Sequence, residues 1–160
     1  MSKTGPLVRD VSDTALWVAV YRARETERPD ALFRDPYARR LAGARGEQIA
    51  ASMPFSDKAT WAWVARTALF DQFIEEQVRV GADLVVNLAA GLDARPYRMA
   101  LPPSLTWVEV DLPGILAHKE EILRAEKPVC ALERVRLDLS DAGARRELFE
   151  RLGRSAHRAL

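Results

Sequence analysis

The stretch over residues 83–90, Asp83-Leu84-Val85-Val86-Asn87-Leu88-Ala89-Ala90, lies between Gly81 and Gly91 and constrains this chain more than any other. A short, nearly continuous apolar run bounded by glycines suits a strand buried on both faces, and such strands belong to parallel sheets covered by helices. Thr106-Trp107-Val108-Glu109-Val110-Asp111 is a second strand candidate, rich in the β-branched and aromatic residues that strands favour. Val135-Arg136-Leu137-Asp138-Leu139 is a third and weaker one.

Helical patterns separate and precede these strands. Pro113 opens an expected helix over about 114–126, and Ser140 is positioned to cap another over about 141–152 that Gly153 ends. Ser12 or Asp13 is placed to cap a helix over about 14–24, and Asp35-Pro36 marks a second helix start that should fade near Gly43 or Gly46. Apolar residues then recur at helical spacing from Ser56-Asp57 to about Val80, with Gly81 as the stop. Residues 1–11 read as a flexible tail. Strand alternating with helix predicts an α/β fold with a parallel sheet, and the helical N-terminal part reads as a cover on it within one domain over 12–160.

Composition removes several classes of function. Lysine and arginine number 24 against 23 aspartate and glutamate, so a net charge of +1 gives no pull toward nucleic acid or an anionic membrane surface. No apolar run approaches the roughly 20 residues of a membrane span, and no signal peptide is evident. Cys130 is the sole cysteine, which excludes a disulfide framework and a cysteine-based metal site and suits a cytoplasmic protein.

In open parallel sheets, ligands bind beyond the carboxyl ends of the strands. Three such ends carry notable residues. Gly91 follows the first strand, where the backbone must turn sharply and approach a ligand. Asp111 ends the second strand, 20 residues after Gly91, where an acid can accept both hydroxyls of a ribose. Glu109 shares its face and competes for that role, and Asp111 also reads as a helix N-cap. Asp138 ends the third strand, where a carboxylate can accept from an exocyclic amine and Leu139 can pack on a flat ring. Taken alone, Asp138 is a helix-start acid favoured by the helix dipole. Together the three ends point to a ligand of the adenosine type. The loop lacks the G-x-G-x-x-G pattern, since Ala89 stands where a phosphate-cradling loop often has glycine.

The stretch from Val85 to Arg98, VVNLAAGLDARPYR, resembles motif I of the leucine carboxyl methyltransferase family, including its bacterial branch of S-adenosylmethionine-dependent O-methyltransferases. Members usually carry Gly-Ala-Gly and then Asp-Thr-Arg; Ala89 and Ala94 are the departures here. Ser12-Asp13-Thr14-Ala15 through Arg34-Asp35-Pro36-Tyr37-Ala38, Glu109-Val110-Asp111-Leu112-Pro113 with Lys119, and Leu137-Asp138-Leu139 resemble further family stretches in the same order.

The resemblance implies a Rossmann-like class I methyltransferase fold, S-adenosyl-L-methionine as cofactor and a small-molecule acceptor bearing a carboxylate or hydroxyl. It implies that Gly91 lies against the methionine part, that Asp111 holds the ribose and that Asp138 and Leu139 frame the adenine. Arg66 matches an arginine that pairs with the cofactor carboxylate, a partner its planar fork fits; otherwise it reads as a solvent-facing helix residue. Ala89 narrows the space above the loop and lowers the expected affinity. No general base stands out, because His118 and His157 both read as surface residues.

Members of the family continue well beyond the length of this chain, which reaches Leu160 just where Arg158-Ala159-Leu160 would begin a fourth strand. The expected sheet is therefore cut short after about three strands, with an exposed edge on the first. A completing chain or a homo-oligomer is one expectation, with weak cofactor binding and no turnover by these residues alone. The competing readings are a nicotinamide-dependent oxidoreductase on a similar sheet and a non-catalytic fragment that needs a partner chain.

Overall fold

The computed structural model describes residues 11–53 and 56–160. The expected tail over 1–11 falls outside the described residues except for Val11, and so does the side chain of Ser12. The chain divides into two compact units, one ending at Leu69 and the other spanning Phe70–Leu160.

The first unit is helical. Helix α1 (Val11–Thr26) starts earlier than expected, so Asp13 sits in its first turn instead of capping it. There Asp13 is buried and accepts from Arg45 Nε at 2.7 Å and Nη2 at 2.6 Å. Helix α2 (Ala38–Ser52) does not fade at the glycines: the backbone leaves helical geometry at Gly43 (φ 56) and resumes to Ser52. The continuation follows from packing, since Leu41, Ala42, Ile49 and Ala50 of α2 and Leu16, Ala19, Val20 and Tyr21 of α1 are all buried. Gly46 lets the helices approach, because a Cβ there would lie 2.9 Å from the Leu16 carbonyl oxygen. A buried Arg22–Asp35 ion pair at 2.9 Å ties α1 to the loop before α2.

Helix α3 (Ser56–Arg79) spans the boundary between the units. It stops at Gly81 (φ 102) as expected, with Gly81 N–H donating to Val78 O and Ala82 N–H to Gln77 O. That pair of bonds satisfies the last free carbonyls of the helix.

The second unit is a three-stranded parallel sheet in the order β1-β2-β3, formed by β1 (Leu84–Leu88), β2 (Thr106–Asp111) and β3 (Ala131–Arg136). The short α4 (Arg95–Arg98), then α5 (Pro113–Leu123) and α6 (Ala142–Gly153), follow the strands in turn. This is an α/β, Rossmann-like arrangement. Register places Val85, Trp107 and Leu132 in one row. Their face packs with Ile74 of α3 and with Met99, Leu101 and Leu105. The opposite face, with Leu84, Val108 and Val110, is covered by Leu148 and Leu152 of α6.

Boundaries in the second unit differ from expectation too: β1 is confined to Leu84–Leu88 within the expected 83–90. β3 lies at 131–136, not 135–139, because an edge strand exposed on alternate residues needs no apolar run: Ala-Leu-Glu-Arg-Val-Arg is half charged. Helix α5 ends at Leu123, three residues short of the expected end. The cap of α6 is Asp141, whose carboxylate accepts from Gly143 and Ala144 N–H, and not Ser140.

The residues expected to begin a fourth strand do pair with the free side of β1. Asp83 N–H donates to Arg158 O at 3.1 Å, Leu160 N–H to Leu84 O at 2.9 Å, and Val86 N–H to Leu160 O at 2.8 Å. The Asp83 carboxylate adds two bonds, accepting from the N–H groups of His157 and Arg158, each at 2.9 Å. Those two N–H donors hold the Asp83 carboxyl below the usual carboxylate range. A folded-state pKa below the unfolded one contributes stability that is complete at neutral pH and lost as pH falls through the folded value. Asp83→Ala should therefore speed amide hydrogen exchange at residues 157–160 at pH 7 while β2 amides keep their protection, and acidification of the parent chain should lower the protection factors of 157–160, taken against the intrinsic rate at each pH, before those of β2.

Candidate functional site

The site is built where β1 and β2 end side by side. β1 finishes at Leu88, opposite Val110, and the ladder continues one step as Ala90 N–H donates to Val110 O at 3.1 Å. The chain then reverses in a tight turn closed by Asp93 N–H donating to Ala90 O at 3.0 Å. Gly91 occupies this turn at φ 50. Ala89, just before it, also has a positive φ of 52, the only non-glycine residue to do so among the described residues. An alanine in that region costs about 1 kcal/mol relative to glycine, so the departure at 89 carries a backbone cost as well as a methyl group.

Asp111 meets this turn directly. One carboxylate oxygen accepts from Gly91 N–H at 2.6 Å and the other from Leu112 N–H at 2.7 Å. The N-cap of α5 is Leu112 with no side-chain cap bond, so Asp111 is not itself the cap; it joins the glycine turn to the N–H of the cap residue. Glu109, its competitor, is occupied elsewhere: fully buried, it accepts from Lys119 Nζ at 2.6 Å and Arg134 Nε at 3.0 Å. Burial pushes the Glu109 carboxyl up and the Lys119 ammonium down, and each partner's charge opposes the other's shift. Arg134 also donates to the Tyr97 hydroxyl at 2.6 Å.

Leu137 N–H donates to Asp111 O at 3.0 Å, so 137–139 run beside the end of β2. Asp138 lies two residues past β3, is exposed, and accepts from Ser140 N–H at 2.9 Å. That N–H, with the Ser140 side chain, lowers its carboxyl below the usual range. Leu139 is partly buried against the core beneath α6. The structure thus brings Gly91, Asp111 and 137–139 to one edge of the sheet. Arg66 belongs to the first unit, where it is exposed with its guanidinium 5.8 Å from the Trp63 ring centroid. His157 sits at the opposite, amino end of β1 through its bond to Asp83.

The sequence reading missed an ion cluster behind the turn. Asp93 accepts from Asn87 Nδ2 and from Arg95 N–H, each at 2.9 Å, and pairs with the Arg95 guanidinium. Asp71 of α3 accepts from Arg95 Nε at 2.7 Å and from both terminal nitrogens of Arg98 at 2.8 Å. Burial alone would lower Arg95, but Asp93 and Asp71 together raise it. The signal was present in Asp93-Ala94-Arg95, but Asp71 on a distant helix has no local pattern that marks it. Among the described residues no group of three or more His, Cys, Asp or Glu could hold a metal ion, and no helix is long and apolar enough to cross a membrane.

The family model for leucine carboxyl methyltransferase matches residues 15–158. The chain belongs to the leucine carboxyl methyltransferase family. It is 40% identical over 147 residues to a protein of Rhodococcus jostii provisionally named an S-adenosyl-L-methionine-dependent methyltransferase, covering 84% of this chain and 49% of that protein. A similarly named protein of Mycobacteroides abscessus is 41% identical over 148 residues, covering 84% and 50%. One from Streptomyces coelicolor is 39% identical over 130 residues, covering 76% and 46%. The chain spans about half the length of the curated relatives it matches.

Two substitutions probe the energetics of the site. Ala89→Gly should stabilise the chain by about 1 kcal/mol through relief of the positive φ, read as a higher urea midpoint. Lys119→Met, which strands the buried Glu109 carboxylate with Arg134 alone, should cost on the order of 3 kcal/mol in the same measurement.

Proposed function

We propose that this chain carries the S-adenosyl-L-methionine-binding part of a methyltransferase that delivers a methyl group to a carboxylate or hydroxyl oxygen of a small molecule. The observation that carries the reading is the Asp111 carboxylate 2.6 Å from the Gly91 amide, which sets an acceptor pair against the glycine of the turn at the ends of β1 and β2. Each carboxylate oxygen has a second lone pair, so both keep acceptor capacity for ribose hydroxyls. Asp138 and Leu139 stand next along the edge and frame the adenine. Gly91 faces the methionine part, and Arg66 pairs with its carboxylate. Residues 12–160 form the N-terminal part of one cofactor-binding domain.

The cofactor supplies a methyl group already activated on a sulfonium. The chain's own residues therefore bind and orient, converting the displacement into a step between held partners. An ionised carboxylate acceptor needs no base, whereas a hydroxyl acceptor does. His157 lies at the far end of β1 from Gly91 and Asp111.

Asp111→Ala and Arg66→Ala should each weaken S-adenosylhomocysteine binding by about 1–3 kcal/mol, as loss of a hydrogen bond to a charged group does. Titration calorimetry reads this directly. Unchanged affinity in both variants rejects the placement, and saturable NAD(P) binding without S-adenosylhomocysteine binding rejects the methyltransferase reading.

A further inference from the structure

Asp93, Arg95, Asp71 and Arg98 are not among the residues that the cofactor reading uses. Their geometry nonetheless concentrates on one object, the turn containing Gly91. Asp93 closes that turn through its own N–H and, through its carboxylate, joins Asn87 on β1 to the first residue of α4. Arg95 joins Asp93 to Asp71, and Arg98 grips both oxygens of Asp71. The side chains of Arg95, Arg98, Asp71 and Asp93 retain only 15%, 4%, 12% and 13% exposure, so solvent screens these charge-assisted bonds weakly. The turn that must hold Ala89 at a positive φ is thus fastened from behind to β1 and to α3.

Resting on the cofactor reading above, we propose that Asp93 and Arg95 are positioning residues for the methionine part of the cofactor, fixing the Gly91 turn without touching the ligand. Asp111 sits on the other side of that turn and answers for the ribose. Asp111 touches the turn through Gly91 N–H but is also held by Leu112 N–H on its other oxygen, so a change in the Asp93–Arg95 lock acts first on the methionine half.

The test titrates the 160-residue chain with S-adenosylhomocysteine and with adenosine, which lacks the amino-acid tail. Asp93→Asn keeps an oxygen for the Arg95 amide and removes the charge. Arg95→Lys keeps the charge and removes the fork, and it stands in if the first variant fails to fold by circular dichroism. Each should lose S-adenosylhomocysteine affinity about tenfold, the size of one charged hydrogen bond, with adenosine affinity changed less than about twofold. Equal losses for the two ligands would mean a general weakening of the fold and overturn the proposal, as would no loss for either. Binding of neither ligand by the parent chain instead overturns the cofactor reading on which the proposal rests.

Discussion

Parallel pairing in one fixed register, β1 to β2 to β3, is the constraint on which the rest of the second unit depends. Because side chains alternate with a period of two, a row of partners shares one face. Val85, Trp107 and Leu132 form such a row, and it is apolar. Two residues further on, Asn87, Glu109 and Arg134 form the next row on the same face, and it is polar throughout. The first row holds α3 and the segment around Met99, Leu101 and Leu105 against the sheet. The second anchors the segments that leave the strand ends: Asn87 takes Asp93, Glu109 takes Lys119 of α5, and Arg134 takes Tyr97 of α4. A slip of one residue in any strand would turn that row to the α6 face and leave Glu109 without its cations.

Buried charges of this kind are weak evidence for stability, because desolvation offsets much of their attraction. Their value here is directional. A fully buried Lys119–Glu109 pair permits one docking of α5 on β2, and that docking puts Leu112 and Asp111 where the glycine turn ends. The same reasoning accounts for a strained Ala89. A residue at positive φ persists only where its surroundings over-determine it. The surroundings are named contacts: Val110 O on Ala90, Asp111 on Gly91 and Asp93 beyond.

Much of this was legible in the residues. β2 was readable to its ends, since Thr106–Asp111 combines strand-favouring residues with turn signals on both sides. β1 was readable from its apolar run between Gly81 and Gly91, although only Leu84 and Val85 are buried and Leu88 is exposed, and the halt of α3 was readable from Gly81. β3 was not: as an edge strand it buries few side chains, and its charges at Glu133, Arg134 and Arg136 pair with Arg151, Glu109 and Glu120 across the structure. Gly91 and Asp111 could be named from spacing, but their direct hydrogen bond could not, because 20 residues of chain separate them. Periodicity left Glu109 and Asp111 tied on one face. Lys119 and Arg134 separate them, and only the folded chain brings those two cations to Glu109. Helix α2 misled for a similar reason: Gly43 does break the helix, but the apolar face at Ile49 and Ala50 is buried and restarts it.

The bond between Leu160 and β1 also has a consequence in time. Arg158 lies 75 residues after Asp83, so at ordinary synthesis rates the ribosome needs roughly 4–15 s to make the second neighbour of β1 after making β1 itself. Through that interval the most apolar strand of the chain offers an open row of backbone donors and acceptors on one side. Order on that side of the sheet is therefore set by when residues emerge as much as by how well they fit. Three helices and two strands are synthesised between β1 and Arg158 while the oldest strand still waits for its second neighbour.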